Sequence, residues 1–225
     1  MSSGAGRTSG GYVRDDLTDE EISHQESVYG PLADAVRRLA DACIRTEVDD
    51  ASVAEVAAEV EALTARLQVR QMPGAYGVRF NAEGRGRPWG NAVVGLRNPI
   101  APPLDIRRSP EGRAWADFHL GAAYEGPPDL VHGGVSALIL DQLLGEAAGA
   151  GGRPGMTGTL TLRYRRATPL GSLHAEAAIT GSEGHKTFVS GAISDAEGVT
   201  VEAEGVFILP RWAREAMAKQ PDRFE

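Results

Sequence analysis

The first third of the chain carries apolar residues at the spacing of α-helices. In PLADAVRRLADACIRT, residues 31–46, the recurring positions are Leu32, Val36, Leu39, Cys43 and Ile44. In DDASVAEVAAEVEALTARLQV, residues 49–69, steps of three and four residues alternate through Val53, Val56, Val60, Leu63 and Leu67. Side chains at these intervals share one face of a helix. The pattern predicts two amphipathic helices, which pack on each other, on the main domain or on a partner chain.

Local signals predict where ordered structure and these helices begin. Residues 1–14 are rich in Gly and Ser and predict a disordered tail. Pro31 suits the first turn of the first helix, because the N–H that proline lacks would have no partner there. Ser52, followed three residues later by Glu55, has the spacing of a capping box at the start of the second helix.

The chain from residue 69 to residue 112 has no clear period. It is rich in Gly, Pro, Arg and Asn, as in NAEGRGRPWGNAVVGLRNP, and predicts a long connection with one short strand. A connection of this length is uncommon inside a compact domain unless it has a function. Covering a pocket and serving as a linker are both open. We assign residues 15–111 to a helical extension with a long loop.

From residue 112 the pattern changes to the alternation of β-strands. RAWADFHLGAAYEG, residues 113–126, predicts a strand, a turn and a second strand. GMTGTLTLRYRRA, residues 155–167, has two faces, one with Leu160, Leu162 and Tyr164 and the other with Thr159, Thr161, Arg163 and Arg165. Three more alternating runs, at 172–183, 185–196 and 200–210, are separated by short turn sequences. Strands joined by short turns pair antiparallel, so residues 112–210 predict a sheet of five or six such strands.

One helix interrupts these strands. The stretch DLVHGGVSALILDQLL, residues 129–144, contains an apolar run that only Asp141 breaks. A helix that is apolar nearly all round must be wrapped by other structure, and the predicted sheet is the only candidate. An isolated buried carboxylate is costly, so Asp141 either faces water or serves a site. Residues 211–225 form a C-terminal tail, with a peripheral helix predicted at 211–219.

Composition excludes several classes of protein. The net charge of −8 argues against a nucleic-acid partner, which usually requires a basic face. Cys43 is the only cysteine and the five histidines show no i, i+4 pair, so we expect neither a metal nor a bound cofactor. No signal peptide is evident, and no apolar run approaches the roughly 18 residues that span a bilayer. We therefore expect a cytoplasmic protein without a membrane span.

Four segments in the second half of the chain resemble a known family. They are YEGPPDLVHGGVSALILDQLLG, MTGTLTLRYRRATPLG, GHKTFVSGAI and VEAEGVFILP, in this order. Together they resemble the hotdog-fold acyl-CoA thioesterases, in particular the PaaI-like and THEM-like branch, over residues 112–210. The resemblance implies an α+β hotdog fold, in which a long central helix is wrapped by a five- to six-stranded antiparallel sheet. It also implies an acyl-CoA substrate, so that coenzyme A enters as part of the substrate.

Thioester hydrolysis needs a polarised carbonyl and an activated water or nucleophile. A helix N-terminus presents unpaired N–H groups and glycine permits close approach, so Gly133 and Gly134 suit the first need. The resemblance makes Asp141 either the general base or the nucleophile. It also makes Thr157 the hydroxyl that orients the attacking water or the acid.

The spacing of these residues bears on assembly. Gly133 and Asp141 are eight residues apart, which is about 12 Å along one helix, so they cannot reach the same thioester. Two such helices lying side by side in opposite directions would place Gly133 of one subunit opposite Asp141 of the other. The spacing predicts a homodimer with two composite sites, and two dimers could join in a homotetramer.

Further polar residues surround these positions. His132 contacts the pocket loop or the substrate, or it holds the turn before the glycines. Some relatives carry an Asn six residues before this His, where this chain has Gly126. Cations should rim a pocket for the phosphates of CoA, and the candidates are Arg165, Arg166, His185 and Lys186. A solvated charge at the sheet edge explains each of these four equally well.

Two other functions remain open. One is a hotdog enoyl-CoA hydratase or dehydratase, although the helix-start motif with a catalytic His that those relatives usually carry is missing. The other is a non-catalytic acyl-CoA-binding protein whose N-terminal half binds a partner. The set of Gly133, Asp141 and Thr157 favours the thioesterase.

Overall fold

The computed structural model describes residues 12–211 and 213–215, in two compact units, Met1–Ala101 and Pro102–Glu225. Residues 1–11, most of the predicted disordered tail, lie outside the described residues. The same holds for residues 212 and 216–225 of the predicted C-terminal tail and helix, whereas residues 211 and 213–215 are helical.

The first unit contains two long helices and a small sheet. Its elements are β1 (Tyr12–Arg14), α1 (Asp19–Arg45), α2 (Asp50–Gln68), β2 (Val78–Phe80) and β3 (Gly86–Arg87). Strand β1 runs parallel to β2, which pairs antiparallel with β3. Strand β1 lies inside the segment predicted to be disordered, and β2 and β3 lie inside the predicted long connection. A strand of two or three residues is too short to show an alternating pattern in the sequence. Its extended conformation is stabilised by pairing with the neighbouring strands.

Both helices of the first unit begin at residues other than the predicted ones. Helix α1 begins after Thr18, whose side chain forms a capping box with Glu21, so Pro31 lies inside the helix and its assignment to the first turn is wrong. Helix α2 begins after Asp49, whose carboxylate accepts the Ser52 N–H at 2.9 Å, so the capping box at Ser52 is also wrong. In both cases a polar cap precedes the apolar stripe by one or more turns, because a capping side chain needs no apolar neighbour.

A buried arginine organises the small sheet. Arg87 is 1% exposed, and its guanidinium is paired with the Asp15 carboxylate. A buried charge is costly unless it is paired and hydrogen-bonded, so this contact ties β3 to the chain after β1. Asn81 is also buried, and its side chain donates to Asp19 at 2.9 Å and accepts the Arg85 N–H at 2.7 Å. Buried polar contacts therefore help to hold the first unit together.

The second unit contains a long helix packed against a sheet. Its strands are β4 (Arg107–Ser109), β5 (Arg113–Leu120), β6 (Met156–Tyr164), β7 (Gly171–Glu183), β8 (Lys186–Asp195) and β9 (Gly198–Ile208), and its helix is α3 (Gly133–Ala150). The strand order is β4-β5-β7-β8-β9-β6, with every pair antiparallel. The unit begins at Pro102, ten residues before the predicted boundary, because β4 pairs with β5. The second strand predicted within 113–126 is wrong, since Ala122–Tyr124 form a 3-10 turn.

Helix α3 supplies the core of this unit. It lies against all six strands. Four large side chains, Ile139, Leu140, Leu143 and Leu144, have no exposed surface. Burial of each stabilises the fold by about 1.5–3 kcal/mol. The predicted α+β architecture, a long helix wrapped by a six-stranded antiparallel sheet, is confirmed.

Candidate active site

The loop before α3 fixes the start of the helix. His132 is its N-cap residue, and its Nδ1 accepts the Gly134 N–H at 3.0 Å. The His132 carbonyl accepts the N–H groups of Val135 and Ser136, at 2.8 and 3.3 Å. Among the described residues the Gly133 N–H therefore has no acceptor, and it is the one donor of the first turn that a ligand can use. Of the two predicted glycines, Gly133 keeps its N–H available, whereas Gly134 donates to His132.

Close packing explains why this chain has glycine at position 126. A Cβ built on Gly126 would lie 2.7 Å from the His132 Cα, so the Asn found in some relatives does not fit this backbone. The same loop contains Asp129, whose φ of 63° is unusual for a residue other than glycine. The Asp129 N–H donates to the Glu125 carboxylate at 2.8 Å, which holds this conformation. The loop therefore places the His132 side chain at the start of α3. Position 126 contributes no side chain there.

Asp141 and Thr157 are brought together within one chain. The Thr157 hydroxyl donates to Asp141 Oδ1 at 2.8 Å. Asp141 is half-buried on α3, and Thr157 is exposed on β6, the strand at one edge of the sheet. The acid therefore stands beside the exposed edge of the unit rather than in its core, with a hydroxyl that fixes one of its oxygens.

A β-bulge turns Thr157 toward the helix. Thr157 pairs with Phe207 and Thr159 with Val206, so Gly158 is an extra residue in β6. Simple alternation would place Thr157 with Thr159 on the face away from α3. The bulge shifts the alternation by one residue and re-aims the Thr157 side chain. A Cβ at Gly158 would lie 2.6 Å from Ile208 Cδ1 and 3.3 Å from the Val206 carbonyl oxygen, so a larger residue there would require the Ile208 side chain to move.

Tyr164 is a site residue that the sequence analysis did not select. Its hydroxyl donates to the Gly133 carbonyl at 2.8 Å, at the end of β6 opposite Thr157. A Cβ on Gly133 would lie 3.2 Å from the Tyr164 hydroxyl, so the ring packs closely against this turn. The alternation had placed Tyr164 on the same face as Leu160 and Leu162, and that face turns toward α3. This placement was the available signal.

The candidate groups of one chain thus form two half-sites. One half-site contains the Gly133 N–H, His132 and Tyr164, and the other contains Asp141 and Thr157. Both lie where β6 runs beside α3, but eight helical residues, about 12 Å, separate Gly133 from Asp141. A single chain does not bring the Gly133 N–H and the Asp141 carboxylate together.

The predicted arginines are committed to carboxylates. Arg165 donates twice to Glu202, through Nε at 2.8 Å and Nη2 at 2.6 Å. Arg166 is paired with Asp195 and also donates to the Gly198 carbonyl at 2.9 Å. The hydrogen bond between this pair lowers the pKa of the Asp195 carboxyl and raises the pKa of Arg166. Both arginines follow the Tyr164 end of β6.

The other two predicted cations lie at the opposite end of the sheet. His185 and Lys186 are exposed at the turn between β7 and β8. Lys186 is opposite Ile208, which is opposite Met156 at the start of β6. These two residues therefore share the end of the sheet that carries Thr157. The structure gives one pair of cations to each half-site and does not gather the four.

Comparisons with known proteins agree with this architecture. One helix packed on a single antiparallel sheet, with polar groups along α3 and β6, defines the hotdog class of protein. Residues 129–202 match the family model of the thioesterase superfamily. A crystal structure of a thioesterase superfamily protein is 36% identical, with a TM-score of 0.72, and the match covers 80% of this chain and 90% of that one. The chain belongs to the thioesterase superfamily, as its sequence predicts.

A second relative matches over a shorter range. The acyl-coenzyme A thioesterase THEM4 of Bos taurus is 31% identical over 106 residues, which are 46% of this chain and 44% of that protein. This chain thus spans less than half the length of that relative. The match to the crystal structure of the thioesterase superfamily protein covers 80% of this chain. The second unit, Pro102–Glu225, is 124 of 225 residues, or about 55%. That likeness therefore extends into the first unit.

A helix that crosses a bilayer needs about 20 predominantly apolar residues. None of the helices in residues 12–211 and 213–215 is long and apolar enough to cross a membrane.

Proposed function

We propose that this protein hydrolyses acyl-CoA thioesters to a free acid and CoA, at a composite site formed by two subunits. The observation that carries the proposal is the hydrogen bond from Thr157 to Asp141 on the exposed side of α3 and β6. A carboxylate held by a hydroxyl beside an open sheet edge suits attack on a carbonyl. Membership of the thioesterase superfamily and the likeness to an acyl-coenzyme A thioesterase support the substrate class.

The Gly133 N–H polarises the thioester carbonyl. It is the first-turn donor without an acceptor in the described chain, and it carries the partial positive charge of a helix N-terminus. As the carbonyl carbon becomes tetrahedral, its oxygen gains negative charge and the hydrogen bond strengthens. One such donor lowers the barrier by about 3–4 kcal/mol in other enzymes. His132 and Tyr164 hold the turn that aims this N–H.

Asp141 of the partner subunit drives the attack. Its Oδ1 accepts from Thr157, and its Oδ2 takes the proton of a water as the water oxygen bonds to the carbonyl carbon. The C–S bond then breaks, and the CoA thiolate leaves and takes up a proton. Direct attack by Oδ2, followed by hydrolysis of the resulting anhydride, gives the same products. Both routes require the same placement of the acid.

Antiparallel pairing of α3 and β6 across two subunits brings the half-sites together. The helix spacing of about 12 Å then separates two equivalent sites, each with Gly133 from one chain and Asp141 from the other. The same arrangement places Arg165 and Arg166 of the first chain on the side of His185 and Lys186 of the second. The four residues would then rim one pocket, in which Lys186 and the guanidinium N–H groups not bonded to Glu202 or Asp195 contact the phosphates of CoA.

Release of free thiol from short, medium, long and aromatic acyl-CoAs tests this function. Asp141→Asn should lower kcat by at least about a hundredfold while the protein stays folded, because it removes the base or nucleophile. The matched control is Asp117→Asn, since Asp117 is an exposed carboxylate on β5 that pairs with His174 and Arg107. Unchanged turnover in Asp141→Asn would refute the mechanism.

The wild-type protein distinguishes the alternatives in the same assay. Tight acyl-CoA binding without thiol release would identify a binding protein. Formation of 3-hydroxyacyl-CoA from an enoyl-CoA would identify a hydratase.

A further inference from the structure

Helix α2 carries an apolar stripe that its own chain does not cover. None of its 19 residues is buried. Val53, Val56, Leu63 and Leu67 are 47%, 44%, 53% and 57% exposed. Most helical stability in proteins comes from packing of the apolar face. An exposed apolar stripe of this kind therefore indicates that another structure packs against it.

The spacing of the stripe is that of a coiled-coil seam. Val53, Val60 and Leu67 fall on position a of a seven-residue repeat, and Val56 and Leu63 fall on position d. Two apolar positions in seven make a narrow seam for one partner helix, whereas a helix that faces a domain core carries a wider stripe. The occupant is therefore another helix with a matching seam.

We propose that α2 pairs with α2 of a second copy of this chain in an antiparallel two-stranded coiled coil. The charges beside the seam point to this partner and direction. Position g holds Glu59 and, one repeat later, Arg66, whereas position e holds the uncharged Ala57 and Thr64, and Asp50 at the helix start, which has no position-g residue of α2 to face. In an antiparallel pair position g faces position g, and in a parallel pair it faces position e. Only the antiparallel pair sets opposite charges against each other.

One register pairs four of the five seam residues and the charges together, with Val53 beyond the last paired layer. With a two-fold axis between residues 61 and 62, Val60 packs beside Leu63 of the partner subunit and Val56 beside Leu67 of the partner subunit. Glu59 then lies about 3 Å along the axis from Arg66 of the partner subunit, and the symmetry repeats this ion pair. The helix is self-complementary, because one strand supplies both members of each pair. This property favours a second copy over an unrelated partner.

The size of the contact defines its part in an assembly. Helix α2 is about 28 Å long, and two helices of this length bury less than the roughly 1,200 Å² of an interface that is stable alone. The contact therefore acts between chains that are already held together, where the effective concentration of the second helix is high. It adds to the subunit pairing proposed above and uses none of the site residues.

Charge reversal tests the register in the full-length chain. Glu59→Arg and Arg66→Glu each set two like-charge pairs across the seam, so each should weaken self-association about tenfold in sedimentation equilibrium. The double variant Glu59→Arg/Arg66→Glu restores opposite charges and should associate within about threefold of the wild type. Glu61→Arg, which changes a charge on the outward side of the same helix, is the control and should associate like the wild type. Single variants that associate normally, or a double variant as weak as the singles, would overturn the proposal.

Distances between spin labels test the direction independently of affinity and of catalysis. In a Cys43→Ser background, labels at Ala51→Cys and Ala58→Cys occupy equivalent outward positions one repeat apart. The antiparallel register makes the axial offset between the two labels of a pair about 10 Å at position 58 and about 31 Å at position 51. Equal distances at the two positions would indicate a parallel pair and refute the geometry. Absence of any short distance at position 58 would refute pairing of α2 with itself.

Discussion

Helices α2 and α3 are nearly equal in length, at 19 and 18 residues, yet the chain uses them in opposite ways. Helix α3 is apolar on most sides and is enclosed by six strands, whereas α2 has one narrow stripe and no buried residue. The stability of the second unit therefore depends on α3. The stability of α2 depends on its own caps and on the partner that packs against its apolar stripe. The same residue types thus serve folding in one helix and association in the other.

Truncation of one leucine in each helix should give the largest contrast. Leu143→Ala in α3 leaves a cavity at a position with no exposed surface, and we expect a loss of about 2–5 kcal/mol in the free energy of unfolding. Leu63→Ala in α2 removes a side chain that is 53% exposed and should change it by no more than about 0.5 kcal/mol. Chemical denaturation at low protein concentration measures both. Equal losses would remove the distinction between the helices.

The exposed end of α3 should be sensitive to the loss of a single donor. Gly133→Pro replaces the N–H at a first-turn position with a proline ring, and the extended backbone of His132 (φ −60°, ψ 130°) tolerates a following proline. If that N–H polarises the carbonyl, kcat should fall about 10²- to 10³-fold. Gly133→Ala retains the N–H and adds the same Cβ beside Tyr164, so it controls for that added carbon. Similar kcat values for the two variants would show that the donor does not contribute.

Mixed subunits test whether two α3 helices share one site. A heterodimer of Asp141→Asn and Gly133→Pro chains, isolated with two affinity tags, has one intact composite site out of two. It should recover about half of the wild-type kcat per dimer, although each parent is inactive. The homodimers of each variant, purified in the same way, give the baseline. A heterodimer no more active than its parents would place both groups of a site in one chain.

The smallest expected effect concerns the cap of α2. Hydrogen bonds from Ser52 hold the pKa of the Asp49 carboxyl below its ordinary value. A carboxyl whose pKa is lowered by folding stabilises the helix above its ordinary pKa, about 3.9, and loses that contribution as the pH falls through the lower value. The protection factors of amides in the first turn of α2, which correct for the intrinsic pH dependence of hydrogen exchange, should therefore fall below about pH 4. Asp49→Asn keeps a good cap that does not titrate, and its protection factors should not respond to this change.

Burial explains which parts of the fold could be predicted from sequence. Leu140 and Leu144 are packed by their own chain and belong to the apolar run that predicted α3, and alternation at residues 156–164 predicted β6. The bulge at Gly158 could not be predicted, because an extra residue is identified only against the neighbouring strand. Caps such as Thr18 and Asp49 were missed, because they lie outside the apolar stripes that drew attention to each helix.

The candidate site was predictable in its residue types and less so in its connections. The sequence pointed to Gly133, Asp141 and Thr157, and the structure joins the last two by a hydrogen bond. Two contacts were not expected: Tyr164 donates to the Gly133 carbonyl, and His132 occupies the Gly134 N–H. These contacts depend on where β6 lies relative to α3, which the order of residues along the chain does not show.

The bulge at Gly158 links the regularity of the sheet to the placement of Thr157 in the candidate site. Removing Gly158 would leave β6 able to form an uninterrupted ladder with β9, yet it would rotate the first residues of the strand by half a turn and carry the Thr157 hydroxyl to the opposite surface. A deletion that regularises the sheet would thus disconnect Asp141 from its donor without touching either residue. At this edge of the sheet, the alternation of side chains along β6 therefore decides whether Asp141 has a hydrogen-bond donor.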